Sequence, residues 1–580
     1  MSYIAPTQEQ LFVLNHIVDM SELAADPRFA AAEPDMVSAI VDGVGRFAEA
    51  EYLPLSRVGD LQHPQVIDGQ VRMPPGFGEA YRAYVENGWG SLAAPTDFGG
   101  QGLPVSMATV VLECLGSANM GFSLCPMLSV AAVEALIHHG TPEQQQTWLP
   151  NLVSGHWPGT MNLTEPQAGS DVGALRTTAT PVGDGSYRIK GTKIFITFGD
   201  HDLADNIVHL VLARTPDAPA GTRGISLFIV PKYRLNADGT PGAFNDVRPV
   251  SVEHKMGIHA SPTCVLAYGE EDDCIGHLIG PEFGGMRAMF TMMNNARLNV
   301  GLQGVQVAER ATQQALAFAR DRIQSARASG SSRDPVAIVQ HPDVRRMLTR
   351  ARALTQAARA LVYYAFGQLD RVTLGDAAAG DRLELLTPLA KAYGTDVGTE
   401  VASLNIQVHG GMGFIEETGA AQHYRDIRIA AIYEGTNGIQ AADLVGRKLG
   451  LNGGAPLAGL LSDIRADAGD IAPLMQLVDA VEQAAQWMTS EASVDDRLAG
   501  SYPLLTMLSV ATCGWLMAKQ GRIAADLLAT GDGDPAFLRM KQATARYYCD
   551  IIVPEALGIA AGARQGADRL YALSDDELAA

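Results

Sequence analysis

Apolar side chains recur three and four positions apart in Met36–Ala50, Phe77–Asn87, Met107–Ala118 and Val130–His139. That spacing lines one face of a helix. From about residue 159 to 283 the pattern changes. Tyr187–Thr197, Asn206–Ala213, Gly224–Pro231 and Pro262–Tyr268 are rich in strand-forming residues and bounded by Gly, Pro and Asp. Gly183-Asp184-Gly185 marks a hairpin-type turn. Long Ala-rich helical patterns with apolar faces return in Met286–Arg322, Pro342–Leu369 and Leu383–Gln407. The stretch 326–335, rich in Ser, Gly and Arg, reads as an exposed loop, and Leu451–Pro456 as a linker. Beyond it, residues 457–580 again read as helical. The pattern predicts a mainly α protein with an inserted β domain. The predicted parts are a helical N-terminal domain (1–158), a central β-barrel-like domain (159–283), a C-terminal four-helix bundle (284–450) and an additional helical domain (451–580).

Length and composition narrow the class. A chain of 580 residues is too long for one core. With 47% hydrophobic and 18% charged residues it is globular rather than disordered. The net charge of −21 argues against nucleic acid or anionic lipid as a main partner, since both require clustered Lys and Arg. It leaves room for a small basic patch around one nucleotide-like ligand. Cys114, Cys125, Cys264, Cys274, Cys513 and Cys549 form no C-x-x-C and read as buried thiols in a reducing compartment. The first ten residues carry no basic segment followed by an apolar core, and no uninterrupted apolar run reaches the roughly 18 to 20 residues that span a bilayer. A cytoplasmic location is the expectation, with membrane contact disfavoured, though a purely hydrophobic contact through a helix of the extension stays open.

Four stretches carry candidate chemistry. In Ile432–Gln440 a glutamate stands between apolar Ile432-Tyr433 and a Gly-Thr-Asn-Gly turn that opens a helix, with Asn437 and Gln440 spaced as an N-cap pair. Burial would raise the Glu434 carboxyl toward the range of a general base, while a solvated turn would leave it idle. In Met161–Asp171, Thr, Ser and Gly at close spacing offer hydroxyls and bare N–H groups to a polar ring edge or a phosphate; a purely structural loop has the same composition. The glycines of Gln407–Phe414 permit close approach of a ligand or a second backbone, and His409 among them reads as a packing residue rather than a base. Arg322-Ile323-Gln324 ends a long helix; its guanidinium suits a diphosphate, or simply a solvated helix end. Gly43–Ala48 fits a loose dinucleotide pattern, but it lies inside a helix-period segment with no strand before it, so it is set aside.

Taken in order, these motifs resemble the acyl-CoA dehydrogenase family over essentially the full length. The match is carried by Leu163-Thr164-Glu165-Pro166 with Ala168–Asp171, Gly191–Thr197, Arg322-x-Gln324, Gln407-x-x-Gly410-Gly411-x-Gly413-Phe414 and Tyr433–Thr436. The resemblance implies FAD lined by Met161, Leu163, Thr164 and Ser170, with Phe195 and Thr197 on its other side. Phe195 stands where many members have Trp, which keeps ring packing but loses an indole N–H. Arg322, Gln324, Gln407, Gly410 and Gly411 would bind the pyrophosphate and adenosine across a dimer interface, and Thr436 and Gly438 would close the site. Ser170 would also touch the acyl-CoA, with Asn294 and Arg297 at its CoA moiety; many relatives have Asp where Asn294 stands.

The implied reaction is α,β-desaturation of an acyl-CoA thioester. Glu434 takes the α-proton, its backbone N–H supports the thioester carbonyl, and the β-hydride passes to flavin N5. An electron-transfer flavoprotein is the implied acceptor, and a homodimer or dimer of dimers the implied assembly. The extension past residue 450, with Pro6–Phe12, His254–Thr263 and Phe290–Asn294, resembles the branch that oxidises 3-methylmercaptopropionyl-CoA in dimethylsulfoniopropionate breakdown. Sulfur and methylene are similar in size, so an ordinary fatty acyl-CoA stays open. An acyl-CoA oxidase is a second alternative. A DNA-protecting flavoprotein of this fold is a third, but residues 451–580 hold 9 Lys plus Arg against 17 Asp plus Glu, a net of −8, which counts against it.

Overall fold

The structure is a computed structural model and describes residues 3–580; Met1 and Ser2, which open the predicted N-terminal domain, lie outside the described residues. The chain is 62% helical with a central sheet and a further helical region at its C-terminal end. It divides into two compact units. One holds residues 3–5 and 36–296; the other holds 6–35 and 297–580.

In the first unit the sheet has eight strands, and Tyr187–Thr197 is its pivot. Residues Tyr187–Lys190 pair antiparallel with Thr178–Pro181, and Arg188 and Tyr187 also pair with Ile275 and Gly276. From Gly191 to Thr197 the partner becomes Thr263–Tyr268. The hairpin turn falls where Gly183 and Gly185 predict it, with Val182 N–H bonded to Ser186 O. The strand Val208–Ala213 is buried along its whole length because the sheet is covered on both faces. Leu210 and Leu212 join a core with Ala132, Leu136 and Trp148 of the helices Met120–His139 and Pro142–Ser154. Val211 and Ala213 alternate into a second core with Ile189, Phe228 and Leu266. The strand Gly159–Asn162, read from sequence as part of a loop, pairs parallel with Val208–Val211. Gly43–Ala48 lies mostly within the helix Pro34–Phe47, as the missing strand before it requires.

In the second unit the helix Pro342–Thr373 packs along Ala377–His409. Ala377–His409 also crosses the helix that ends at Asp321 at glycine contacts. A Cβ on Gly304 would lie 1.8 Å from Gly394 O, and one on Gly398 would lie 2.7 Å from Gly304 Cα. Only glycine allows this approach, and it brings backbone against backbone beside Lys391. The extension contributes the helices Val494–Thr530 and Pro535–Tyr547, which pack against each other and against Pro342–Thr373. A buried ionic cluster ties these parts together: Lys541 Nζ donates to Glu9 Oε1 at 2.7 Å, and Arg359 to Glu309 Oε2 at 2.8 Å.

All six cysteines are buried and unbridged. The helices Met120–His139 and Val494–Thr530 are each long and apolar enough to cross a membrane, although neither holds an uninterrupted apolar run of that length. Ser, Pro126 and Glu134 interrupt the first, and Asp495, Asp496 and Arg497 with Lys519, Arg522 and Asp526 flank the apolar middle of the second. In each, 83% of the apolar window is buried within the protein.

Candidate active site

Glu434 lies on a short turn between helical pieces. Ile432 and Tyr433 N–H groups both reach back to Ile429 O, closing the preceding helical turn. Glu434 (φ 56°) and Gly435 (φ 83°) then take left-handed backbone in succession. Glycine adopts that freely, but a glutamate does so at a cost on the order of 1 kcal/mol or more. The next helix, Asn437–Asp443, starts differently from its sequence signal. Thr436 is the N-cap, and its hydroxyl accepts the Ile439 N–H at 3.1 Å. Asn437 is buried one position further on, and its amide is turned to other partners. The seven-residue helix therefore starts on a side-chain cap supplied by Thr436.

The surroundings of Glu434 come from distant parts of the chain. Arg297, 7% exposed, points its Nε at the Glu434 carbonyl oxygen at 3.4 Å. Gln440 Nε2 lies 3.5 Å from the same oxygen and from Gly435 O. Tyr433 OH donates to Gln303 Oε1. Lys391 is fully buried, and its Nζ donates to Asn437 Oδ1 at 2.8 Å. Glu434 keeps part of its surface open, yet protein crowds the carboxyl. Burial raises its pKa to about 7, against the opposing pull of Arg297 and Lys391. A carboxyl poised there holds the right proton state for a general base near neutral pH.

Sequence reasoning placed Arg297 at a ligand and missed Lys391 altogether. The signal for Lys391 was one lysine in the apolar run Leu389-Ala390-Lys391-Ala392-Tyr393. Thr436 and Gly438 line a pocket of about 610 Å³ with Asn437, Asp396, Arg428 and Tyr502.

The predicted pyrophosphate residues lie elsewhere in the same unit, all exposed. Arg322 donates to Gln324 Oε1 at 3.0 Å, and the loop is held by Gln324 N–H on Val336 O and Ile338 N–H on Arg322 O. Ile338 and Val408 share a small apolar cluster, which sets Gln407 beside this loop. Gly410 has φ 59°, and a Cβ on Gly410 or Gly411 would meet nothing within 4 Å. His409 stacks on Phe318 with ring centroids 4.2 Å apart and bonds to Asn405 O through Nδ1, as a packing residue does.

In the other unit, the loop after Gly159–Asn162 is built around a buried ion pair. Lys193 Nζ reaches Glu165 Oε1 at 2.8 Å and Leu163 O at 2.9 Å. Glu165 also accepts from Arg176 N–H, Thr177 N–H and the Thr177 hydroxyl. Burial alone would raise the Glu165 pKa; Lys193 and these donors outweigh it and hold it at about 2. Ile194 N–H bonds to Thr164 O at 2.9 Å, so Leu163 and Thr164 are fixed against the strand that carries Phe195 and Thr197. Met161, Leu163, Thr164 and Thr197 are half-buried. Phe195 is 58% exposed with φ 60°, an uncovered ring on strained backbone. Ser170 is exposed further along the loop, and Asn294 is half-buried on the helix Gly285–Asp321.

Four family models match in order. They are the acyl-CoA dehydrogenase N-terminal domain (35–156), middle domain (160–269) and C-terminal domain (284–449), and an acetyl-CoA dehydrogenase C-terminal-like domain (460–574). The 3-methylmercaptopropionyl-CoA dehydrogenase of Ruegeria pomeroyi is 45% identical over 96% of this chain and 97% of its own. A butyryl-CoA dehydrogenase of Syntrophomonas wolfei is 34% identical over 96% of each. Among solved structures, an acyl-CoA dehydrogenase from Bacillus anthracis complexed with FAD superposes with a TM-score of 0.73 at 22% identity, covering 95% of this chain and 91% of that one.

Proposed function

This chain belongs to the acyl-CoA dehydrogenase family, oxidoreductases acting on the CH–CH bond of acyl-CoA thioesters, and from that premise we propose that it desaturates 3-methylmercaptopropionyl-CoA with FAD as cofactor and Glu434 as base. The observation that carries the assignment of the base is the Glu434 carboxyl, raised to about 7 and facing two buried cations. The substrate rests on the likeness to the Ruegeria pomeroyi enzyme.

The residues present suit a flavin. The exposed Phe195 ring with Thr197 offers a face for a planar ring system, and the Lys193–Glu165 pair holds Leu163 and Thr164 rigid beside it. Gly410 and Gly411 leave room for close approach to a phosphate, and Arg322 and Gln324 lie on the loop that Ile338 packs against Val408. FAD, when bound, accepts the β-hydrogen as hydride. The chain's own work is to hold and move the α-proton. Glu434 Oε takes that proton while the C–H electron pair becomes the α,β double bond. The Glu434 N–H stands to support the thioester oxygen as negative charge grows there, a contribution of about 3 kcal/mol for such a donor. Arg297 keeps the turn in place from the opposite, carbonyl side.

An electron-transfer flavoprotein fits as acceptor, since the two electrons taken from the acyl chain would have to leave a bound flavin for an external acceptor. A homodimer or dimer of dimers fits the surface beside Gly411, where Phe414 is 87% exposed next to Met412 and Ile415. A second reading, a fatty acyl-CoA dehydrogenase, is favoured by the butyryl-CoA enzyme matching over the same length. Anaerobic flavin reduction with butanoyl-, octanoyl-, palmitoyl-, isovaleryl- and 3-methylmercaptopropionyl-CoA separates the two. Fastest reduction by the sulfur-containing thioester is the expected result. Preference for a straight fatty acyl chain overturns the substrate, and no reduction by any of them overturns the dehydrogenase reading.

A further inference from the structure

Two tyrosines of the C-terminal extension reach polar partners on the bundle helix Ala377–His409, one a hydroxyl and the other a carboxylate. Tyr548 OH lies 2.7 Å from Tyr393 OH in a wholly buried contact. Tyr502, on the helix Val494–Thr530, donates to Asp396 Oδ2 at 2.7 Å. Asp396 Oδ1 accepts from Asn437 Nδ2 at 2.8 Å, and Asn437 Oδ1 accepts from Lys391 Nζ at 2.8 Å. Thr395 Oγ1 and Ala392 O also receive the Asn437 amide, at 3.0 and 3.3 Å. Asn437 is thereby locked, and it stands three positions after Glu434. We infer that Tyr502 is a positioning residue for Glu434: through Asp396 and Asn437, the extension beyond residue 450 holds the base-bearing turn and sets how much of the Lys391 charge the base feels.

The inference rests on Glu434 being the base. The charge balance explains why the contact matters. Lys391 is buried and donates to a neutral amide, so its compensating charges are the Glu434 and Asp396 carboxylates, with Arg297 opposing. Glu434 faces Arg297 and Lys391. Asp396 faces Lys391, Arg428 and the Tyr502 hydroxyl; burial raises its pKa, and the hydroxyl is the strongest of the groups restraining the rise. Removing that hydroxyl lets Asp396 take a proton more readily. A neutral Asp396 no longer offsets Lys391, so Glu434 meets more of the ammonium field and ionises at lower pH. Asn437 loses a charged acceptor at the same moment, which loosens the turn.

The test compares the full-length flavoprotein with Tyr502→Phe, Asp396→Asn and, as a control, Tyr548→Phe. Tyr502→Phe and Asp396→Asn are expected to slow flavin reduction about threefold to tenfold, the scale of one lost hydrogen bond. They should leave KM within about twofold and move the kinetic pKa of reduction downward. Amide exchange in a peptide spanning 433–440 should speed up by a similar factor. Tyr548→Phe removes a comparable contact to the extension, and should lower the melting temperature while leaving the kinetic pKa and the 433–440 exchange unchanged. Wild-type pH profile and wild-type 433–440 exchange in Tyr502→Phe overturn the inference, as does an equal response to Tyr548→Phe. The exchange measurement needs no substrate. A wild-type protein that no acyl-CoA reduces therefore counts against the assignment of the reaction, while the exchange comparison still decides the role of Tyr502.

Discussion

Arg297 Nε lies 3.4 Å from the carbonyl oxygen of Glu434, so a buried cation is fixed to the backbone of the base rather than to its carboxylate. A direct ion pair would hold the carboxyl ionised and weaken it as a base. Bonded to the carbonyl, the guanidinium secures the left-handed turn and still moderates the pKa from a distance.

Removal of the base is the primary prediction. Glu434→Gln keeps the shape of the turn and its bonds to Arg297 and Gln440, which involve only the backbone oxygen. Flavin content should match wild type, while the anaerobic reduction rate should fall by about 10² to 10⁴, the range of a lost general base. Full bleaching at the wild-type rate would remove Glu434 from the mechanism.

Rate should follow the ionisation of Glu434. With the pKa at about 7, flavin reduction by acyl-CoA should be slow at pH 5.5 and rise through neutrality as the carboxyl loses its proton. Arg297 pulls that pKa down, so Arg297→Gln should move the midpoint to higher pH. Stopped-flow reduction between pH 5.5 and 9 reads both; an unmoved midpoint would separate Arg297 from the base.

The ion pair under the loop at 163–177 should be worth more when broken than when present. Lys193→Met leaves Glu165 buried without its cation, and such a change costs about 3 to 5 kcal/mol. The melting temperature should drop, and FAD should dissociate more readily because Leu163 loses a bond to its carbonyl oxygen. The pH dependence has a definite sign. Glu165 is held at about 2, below its unfolded value, so its contribution is complete above the ordinary carboxylate range and is lost as pH falls toward 2. Acid unfolding of wild type and variant should therefore converge at low pH; parallel curves would contradict this account.

Two glycine substitutions should behave oppositely. Gly304→Ala puts a Cβ 1.8 Å from Gly394 O, which forces two helices apart at the crossing beside Lys391. A destabilisation of about 1 to 3 kcal/mol or more is expected in thermal or denaturant unfolding. At Gly411 the added Cβ meets nothing within 4 Å, so Gly411→Ala should change stability by less than about 0.5 kcal/mol. Equal effects at the two positions would mean the crossing adapts freely.

Much of this was legible in the sequence because it is local. The strand Tyr187–Thr197 appears with the bounds its composition and turn residues give, since alternation along one strand reports its two faces. The long helices of the second unit follow from apolar spacing, and the motif around Glu434 is contiguous. The helix-start signal was read one residue late: a Thr and an Asn are both good caps, and only the tertiary demand of Lys391 and Asp396 for the Asn437 amide left the cap to Thr436. Gly159–Asn162 escaped notice because a short strand owes its state to a parallel partner some fifty positions away, Val208–Val211. Above all, the sequence named Glu434 as a carboxylate that could act, but not the pH at which it would. That depends on desolvation and on Arg297 and Lys391, which stand 137 and 43 positions from it. Charges act through distance in space, and only the folding of three helical segments around one turn decides that distance.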